Sequence, residues 1–590
     1  MHIKYYPVRG TDDKKAYIVR NVRGAKGARE VVETYPSVNA LTAEHGDYKA
    51  FLAGRLAELE SEGEKAKEEA LSITIDPNET MDARGETKLW KNTGYLFLQK
   101  AYHDLGIEPY LNSWKSASKA RFAYSLNDAF RLMVFARVTD PCSKLATARK
   151  KDDYAEDFAV TEDDLYDCLG RADKFSRGLT RRLASRCREL LKAEGGGEAI
   201  YYDCTNFYFE CQRADGEKGL RDYGVEKNHR PDPIVEYGLL LDGGGFPVGS
   251  CCFRGNESEK TSLIPLLQQA GEESTRARVI VADAGLNTEA NKDAIHGSGR
   301  NYIFCQSPKQ MSKDNAERVA NDEGSWLFYD GGKKKVKSLW ITRSNGRKER
   351  MVVRWDKASA DFVNAVIDDR VERAKSFIKS PSRLSLKSCQ DGKQYIKRIA
   401  YDPETGEVSK ERSALLLDEG RIAEERKWAG YVVYVTDIPR AEDLDRDFVK
   451  AEKEGHRVVP EDDLGIVGIA GRRNDIEACF REMKTSMDAR PIFVWTAEHI
   501  RGHLFTVYVA LTLLMYIRKR YAPGVTPGQL IEAIQRTGLA ALDERRRIYQ
   551  STYYSPVVEQ LRRSTGLDLL NRKYMTWPML KETIAKSKSR

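Results

Sequence analysis

Apolar positions recur along this 590-residue chain with two periods, and the places where the period changes divide it. Near the start, Ala16–Val22 and Glu30–Tyr35 read as short strands, followed by a helix through Tyr48–Leu59 and a charge-dense stretch from Glu60 to Glu69. From about Thr93 to Ala193 the spacing is helical. Ser125-Leu126-Asn127-Asp128 opens a helix with Leu126, Phe130, Met133 and Val134 three and four residues apart. Thr161-x-x-Asp164 resembles a capping box before Leu165 and Leu169. At Glu198 the period becomes that of strands. Ile200–Thr205 is a β-branched and aromatic run, Tyr237–Asp242 and Phe246–Phe253 flank a Gly243-Gly244-Gly245 turn as a hairpin, and Val279–Asp283 is a continuous apolar strand. A helix bearing Leu263, Leu266 and Leu267, another from about Thr288, and a strand Tyr302–Gln306 complete the order strand, strand, strand, helix, strand, helix, strand.

Residues 311–460 break that order with short alternating strands (Lys337–Arg343, Arg350–Trp355, Tyr395–Tyr401, Tyr431–Thr436) and a helix near Phe362–Ile378. They predict a mostly β unit of its own, inserted into the preceding fold. Gly465–Arg520 returns to helical spacing, and the tail reads as helical and basic. The division expected is a small α+β region and linker over 1–80, a helical segment over 81–195, an α/β core made of 196–310 and 461–520, a β-rich insertion over 311–460, and a helical C-terminal region over 521–590.

With 41% hydrophobic residues the chain has ample material for cores, and no apolar run predicts a membrane span. The longest candidate, Leu504–Ile517, contains Tyr508 and Tyr516 and reads as a buried helix, and MHIKYYPVRG carries no signal-peptide pattern, so a cytoplasmic protein is expected. The ten cysteines form no C-x-x-C pair, which points to reduced thiols and no structural zinc. A net charge of +8 permits nucleic-acid binding without requiring it. The series Arg171, Lys174, Arg177, Arg181, Arg182 and Arg186 reads either as a solvated helix face or as a helical DNA-binding surface, and the helical segment 81–195 that carries it is expected to bind DNA.

Three carboxylates carry the candidate chemistry. Asp203 and Asp283 each fall at or near the end of an apolar strand, where a carboxylate must be hydrated, paired or metal-bound. The third is Glu477. Arg473, Glu477, Arg481 and Lys484 follow at steps of four, four and three, one acid and three bases along one helical stripe. A surface ladder of ion pairs would look the same and add only about 0.2–0.5 kcal/mol per pair. Ile476, Phe480 and Met483 form an apolar stripe beside the charged one, so this helix packs on something and aims its charges along an edge.

At these residues the chain resembles the insertion-sequence transposases with a ribonuclease-H-like core and an Asp-Asp-Glu triad, whose third motif is Tyr-x2-Arg-x3-Glu-x6-Lys. Arg473, Glu477 and Lys484 match it at the right spacing. Ala470 stands at the Tyr position, a departure that bears on one DNA contact and not on the metal site. The resemblance extends through Gly224–Asp232 (GVEKNHRPD), Phe253–Lys260 (FRGNESEK), Val279–Leu286 (VIVADAGL) and Arg490–Leu504 (RPIFVWTAEHIRGHL), and the long gap from Asp283 to Glu477 is what a β-rich insertion produces in that family. It implies an α/β fold with a ribonuclease-H-like mixed sheet, a helical N-terminal region, the insertion before the Glu477 helix, and a helical tail. It also implies a transposase that cuts DNA at element ends and joins them to a target. Asp203, Asp283 and Glu477 would hold two Mg²⁺ ions, for which Mn²⁺ could substitute. Arg473, Arg481 and Lys484 would contact DNA. The implied partners are terminal inverted repeats and target DNA, bound by a homodimer in a bacterial cytoplasm, with neither membrane nor small-molecule substrate. In similar enzymes an aromatic of the insertion stacks on a flipped base, and Trp326, Trp340, Trp355 and Trp428 are candidates. A nuclease on the same core, or a catalytically silent DNA-binding descendant, are the alternatives.

Overall fold

The computed structural model describes residues 2–8, 10–21, 29–68, 73, 89–118, 122–191, 199–216, 219–224, 231–270, 278–321, 325–343, 345–380, 392–401, 412–443, 460–543 and 546–589. The quoted motif Gly224–Asp232 lies largely outside them, as does Glu69 at the end of the charge-dense stretch. Two compact units divide the chain: one comprises residues 113–119 and 163–515, the other 1–112, 120–162 and 516–590. The two units cut across the expected segments, since 81–195 is shared between them and 1–80 falls with 521–590.

The first unit is built on a nine-stranded mixed sheet. In chain order its strands are β1 (Ala199–Tyr208), β2 (Ile234–Asp242), β3 (Pro247–Arg254), β4 (Val279–Ala282), β5 (Asn301–Gln306), β6 (Leu327–Tyr329), β7 (Lys334–Thr342), β8 (Lys348–Asp356) and β9 (Tyr431–Thr436). Across the sheet they run β6-β7-β8-β9-β5-β4-β1-β2-β3. β1, β2 and β3 form an antiparallel meander, while β4 is parallel to β1 and β5 parallel to β4. The β2–β3 hairpin closes on Gly245, which takes a positive φ of 77° and donates its amide to Asp242 O. This turn needs a left-handed residue, and glycine supplies it without a Cβ clash.

Helices flank the sheet: α1 (Glu162–Leu191), α2 (Leu263–Ala270), α3 (Glu289–Gly297), α4 (Asp463–Gly471), α5 (Asn474–Thr485) and α6 (Ala497–Arg520). One face of the sheet presents Ile200, Tyr202, Cys204, Ile280, Ala282, Tyr302, Phe304, Val433 and Val435 to Leu263, Leu266 and Leu267 of α2 and Ile295 of α3. The period of two explains this, because every second residue of a strand faces the same way. The opposite face carries Tyr201, whose hydroxyl donates to Ile469 O of α4 at 2.9 Å. Helix α6 is long and apolar enough to cross a membrane, and 94% of its most apolar window is buried inside the protein.

Two expectations are corrected here. Residues 311–460 do not form a β unit apart from the core: β9 pairs antiparallel with β5, and β8, β7 and β6 continue the sheet beyond it. An unpaired β5 edge would leave a row of backbone donors and acceptors open, and β9 satisfies them. Leu339, Met351, Val353, Val433 and Val435 then join the same apolar core as Ile280 and Phe304. Among the described residues of this stretch, the strands off the sheet are the hairpin Ile396–Tyr401 with Arg412–Leu417. It lies near the helices Lys357–Lys379 and Glu419–Lys427, over a small core of Ile367, Ala374, Tyr395 and Ile422.

The second correction concerns the C-terminal region, which is not all helical. Gly538–Asp543, Ile548–Ser551 and Tyr574–Thr576 pair in a four-stranded sheet completed by Trp90–Asn92, whose partner strand Gly538–Asp543 lies hundreds of residues away in sequence. Leu and Ala favour helix locally, and the distant pairing overrides that preference. The rest of this unit includes helices Tyr95–Asp104, Leu126–Thr139, Pro527–Arg536, Pro556–Thr565 and Trp577–Ser587. An N-terminal three-stranded sheet packs on Val38–His45 and Tyr48–Glu68 through Ala16, Val38, Leu41 and Leu52.

Candidate active site

Asp203 is the fifth of ten residues in β1, so it sits mid-strand rather than at a strand end. The strand continues because β2 pairs with it as far as Tyr208. What ends at this level is the parallel neighbour: Tyr202 pairs with Ala282, the last residue of β4, and Ala282 pairs with Phe304. One step further along each strand stand Asp203, Asp283 and Cys305, which share a level and therefore a face. Asp283 caps the short turn Ala284–Leu286, accepting from the Ala284 amide at 2.7 Å. Asp203 accepts from the Cys204 amide at 2.8 Å.

Helix α5 lies over that face against β1. Ile476, Cys479, Phe480 and Met483 are buried, at helical spacing, and this stripe turns Glu477 toward the aspartates. Arg473, which begins the helix, ties the group together. Its Nη2 donates to Glu477 Oε1 at 3.0 Å. Its Nη1 lies 2.7 Å from Asp283 Oδ1, an ion pair without hydrogen-bond geometry. Burial alone would lower the Arg473 guanidinium. The negative potential of Cys305, Asp283, Glu477 and Asp203 outweighs burial and holds it above its ordinary value. The Cys305 thiol reports the same neighbourhood: burial pushes it up to about 11, Arg473 works against that, and Asp283, Asp203 and Glu477 add to it.

Asp283 and Glu477 thus share a cation supplied by the chain itself, Arg473, and Asp203 lies within its electrostatic reach. Among the described residues no three His, Cys, Asp or Glu side chains stand close enough to hold a metal ion as they are. Their chemistry nevertheless suits a hard divalent cation: oxygen donors from two neighbouring strands and a helix, partly open to solvent, around a place that already holds positive charge.

Lys484 lies further along α5. Its ammonium donates to the Thr205 hydroxyl and stands 5.8 Å from the Phe207 ring centroid. Seven helical residues rise about 10 Å, and the strand from Asp203 to beyond Thr205 covers a similar length, so helix and strand run side by side. Arg481 is exposed on the outer side of α5. His503 is in the core, its Nε2 3.2 Å from Ala489 O. None of Trp326, Trp340, Trp355 and Trp428 is exposed. The indole of Trp355 donates to Ala429 O, that of Trp428 to Glu424, and Lys335 lies 4.2 Å over Trp326. Along α1, Lys174, Arg177, Arg181 and Arg182 are exposed, on the side away from Leu179 and Leu183.

Sequence reasoning did not single out Cys305 or Thr205. Their part in the site depends on strand register and on where α5 lies, neither of which a local pattern encodes.

No family model matches the chain, and no curated protein matches it. Among solved structures it is similar to the cryo-EM structure of the piggyBac transposase synaptic complex with hairpin DNA, with 9% sequence identity, a TM-score of 0.33, and coverage of 84% of this chain and 85% of that chain.

Proposed function

We propose that this chain is a DNA transposase with a ribonuclease-H-like core, and that Asp203, Asp283 and Glu477 are its metal-binding carboxylates. The observation that supports the reading is that Arg473 pairs with both Asp283 and Glu477 at the level where β4 ends, with Asp203 one step along the neighbouring strand. The strand order β3-β2-β1-β4-β5, with a meander followed by two parallel strands, supports a core of this kind. The resemblance of Arg473, Glu477 and Lys484 to the family's third motif supplies the activity.

Two Mg²⁺ ions held by these carboxylates would supply Lewis-acid activation of an attacking oxygen and charge stabilisation of the leaving one. The chain's own part is positional. Arg473 holds Asp283 and Glu477 at one point and carries a guanidinium suited to a DNA phosphate once they take other cations. Lys484, braced by Thr205, offers a second cation further along the strand. The dimer, the terminal repeats and the target are parts of the same proposal.

The test is direct: the purified chain is incubated with Mg²⁺ and a plasmid carrying its own coding region with the flanking DNA. Nicks ending in 3′-OH at the boundaries, followed by joined products, support the proposal. Cleavage without joining identifies a nuclease on the same core, and no cleavage despite DNA binding identifies a silent descendant. That last reading has one observation in its favour, the neutralisation of the acidic group by Arg473.

A further inference from the structure

The stretch between α5 and α6 has no part in the site so far. Ile492, Phe493, Val494 and Trp495 form an extended segment in which Ile492 and Val494 are buried while Phe493 and Trp495 are 56% and 50% exposed. The alternation places both rings on the outer side. The segment is docked on the end of β1, with the Ile492 amide donating to Tyr208 O at 3.1 Å. Arg490 lies 5.7 Å from the Tyr208 ring centroid. Arg221 lies 4.9 Å over the Trp495 ring and 5.6 Å over that of Phe209, and its Nε donates to Asp215 at 2.6 Å. Tyr223, two residues beyond, is 50% exposed.

Along β1 and just past its end, a cation stands beside each of three buried rings, Lys484 by Phe207, Arg490 by Tyr208 and Arg221 by Phe209, and Arg221 also covers the exposed ring of Trp495. Six strand residues span about 20 Å. Exposed rings set beside arginines make a surface that fits a partner both flat and anionic. An unpaired nucleic-acid strand is such a partner: its bases stack on rings and its phosphates meet the cations, without regard to sequence. A duplex keeps its base faces covered and cannot use the rings.

We infer that Phe493 and Trp495, with Arg221 and Arg490, form a stacking platform for single-stranded DNA that continues the candidate active site along β1. The inference rests on the DNA reading of that site and adds the strandedness of the ligand. Because both rings are exposed, their removal leaves the core intact.

The test uses the full chain, labelled oligo-dT, and a labelled blunt duplex of the same length, with affinities from fluorescence anisotropy. The Trp495→Ala variant is expected to bind oligo-dT about 5- to 100-fold more weakly, the size that stacking on one ring contributes, and to bind the duplex within about twofold of wild type. Trp495→Tyr restores oligo-dT binding by keeping a ring. Unchanged oligo-dT binding by Trp495→Ala overturns the inference while leaving the DNA reading intact, as does an equal loss on both probes. Loss of self-association with unchanged oligo-dT binding also overturns it and makes the platform a contact for a second copy. Failure of the wild-type chain to bind either probe overturns the DNA reading itself.

Discussion

Arg473 lies where the sequence pattern put a phosphate contact, yet its guanidinium is turned inward onto Asp283 and Glu477. On the proposed reading, a positive charge half-buried among carboxylates stands where a divalent cation would bind, and the two would compete. Replacing Arg473 with Ala leaves the acids without a counter-charge, so Mn²⁺ measured by calorimetry in the absence of DNA should bind at least severalfold more tightly than to wild type. Equal affinity would show that the guanidinium does not guard the site. Asp203, Asp283 and Glu477 were legible in the sequence as strand-borne and helix-borne acids. That Asp203 and Asp283 share a level, and that Cys305 joins them, was not, because register is set by pairing between separate segments, Ala199 with Val279 and Val279 with Asn301, which no local pattern encodes. Lys484 was legible as a base on the same helix, while its brace, Thr205, was not.

At the scale of elements, the order of strands and helices from β1 to β5 follows the periodicity closely, because each strand buries one or both faces and each helix a stripe. The insertion was misread for a physical reason. Short alternating strands look alike whether they close a sheet of their own or extend a neighbour's, and only the open edge of β5 decides. Val433→Pro tests the difference: it removes a ladder donor in the interior strand β9, where proline is not accommodated, and should strongly destabilise the sheet. Loss of the cooperative melt of the whole sheet unit is expected. Leu416→Pro, in the half-exposed outer hairpin, should leave that melt in place. If Val433→Pro melts like wild type, the strands are not continuous with the core. In the other unit, Glu156 joins three helices through Arg131, at 3.5 Å, Lys588 and the Tyr95 hydroxyl. Burial would raise the Glu156 carboxyl, and the cations outweigh it and hold it below its ordinary value. A lowered folded-state value contributes stability above the ordinary carboxylate range and loses it as pH falls through the lowered value. Glu156→Gln should therefore melt well below wild type at neutral pH, with the gap narrowing on acidification. A gap that stays constant with pH would mean the charge is not what stabilises.

At the scale of the whole molecule, a net charge of +8 on 590 residues is too diffuse to define a nucleic-acid surface by itself. The proposed DNA reading rests on position instead: Lys484 and Arg490 stand beside β1 beyond the acidic group, and Lys174, Arg177 and Arg181 line the outer face of α1. Lys484→Ala should weaken duplex binding and reduce its salt slope by about one counter-ion, with Mn²⁺ affinity unchanged. An unchanged slope would assign Lys484 to internal bracing alone. The central claim is that the three carboxylates exist for chemistry on DNA and not for the fold, and the replacement of Glu477 by Gln tests it most directly. The carboxamide keeps the shape of a half-exposed side chain and loses its charge. Strand cleavage by the variant and by wild type is measured with Mg²⁺ on DNA carrying the flanks of the coding region, beside a band-shift assay on the same DNA. The account predicts that cleavage falls by orders of magnitude while binding persists. Cleavage by Glu477→Gln at near the wild-type rate would contradict it.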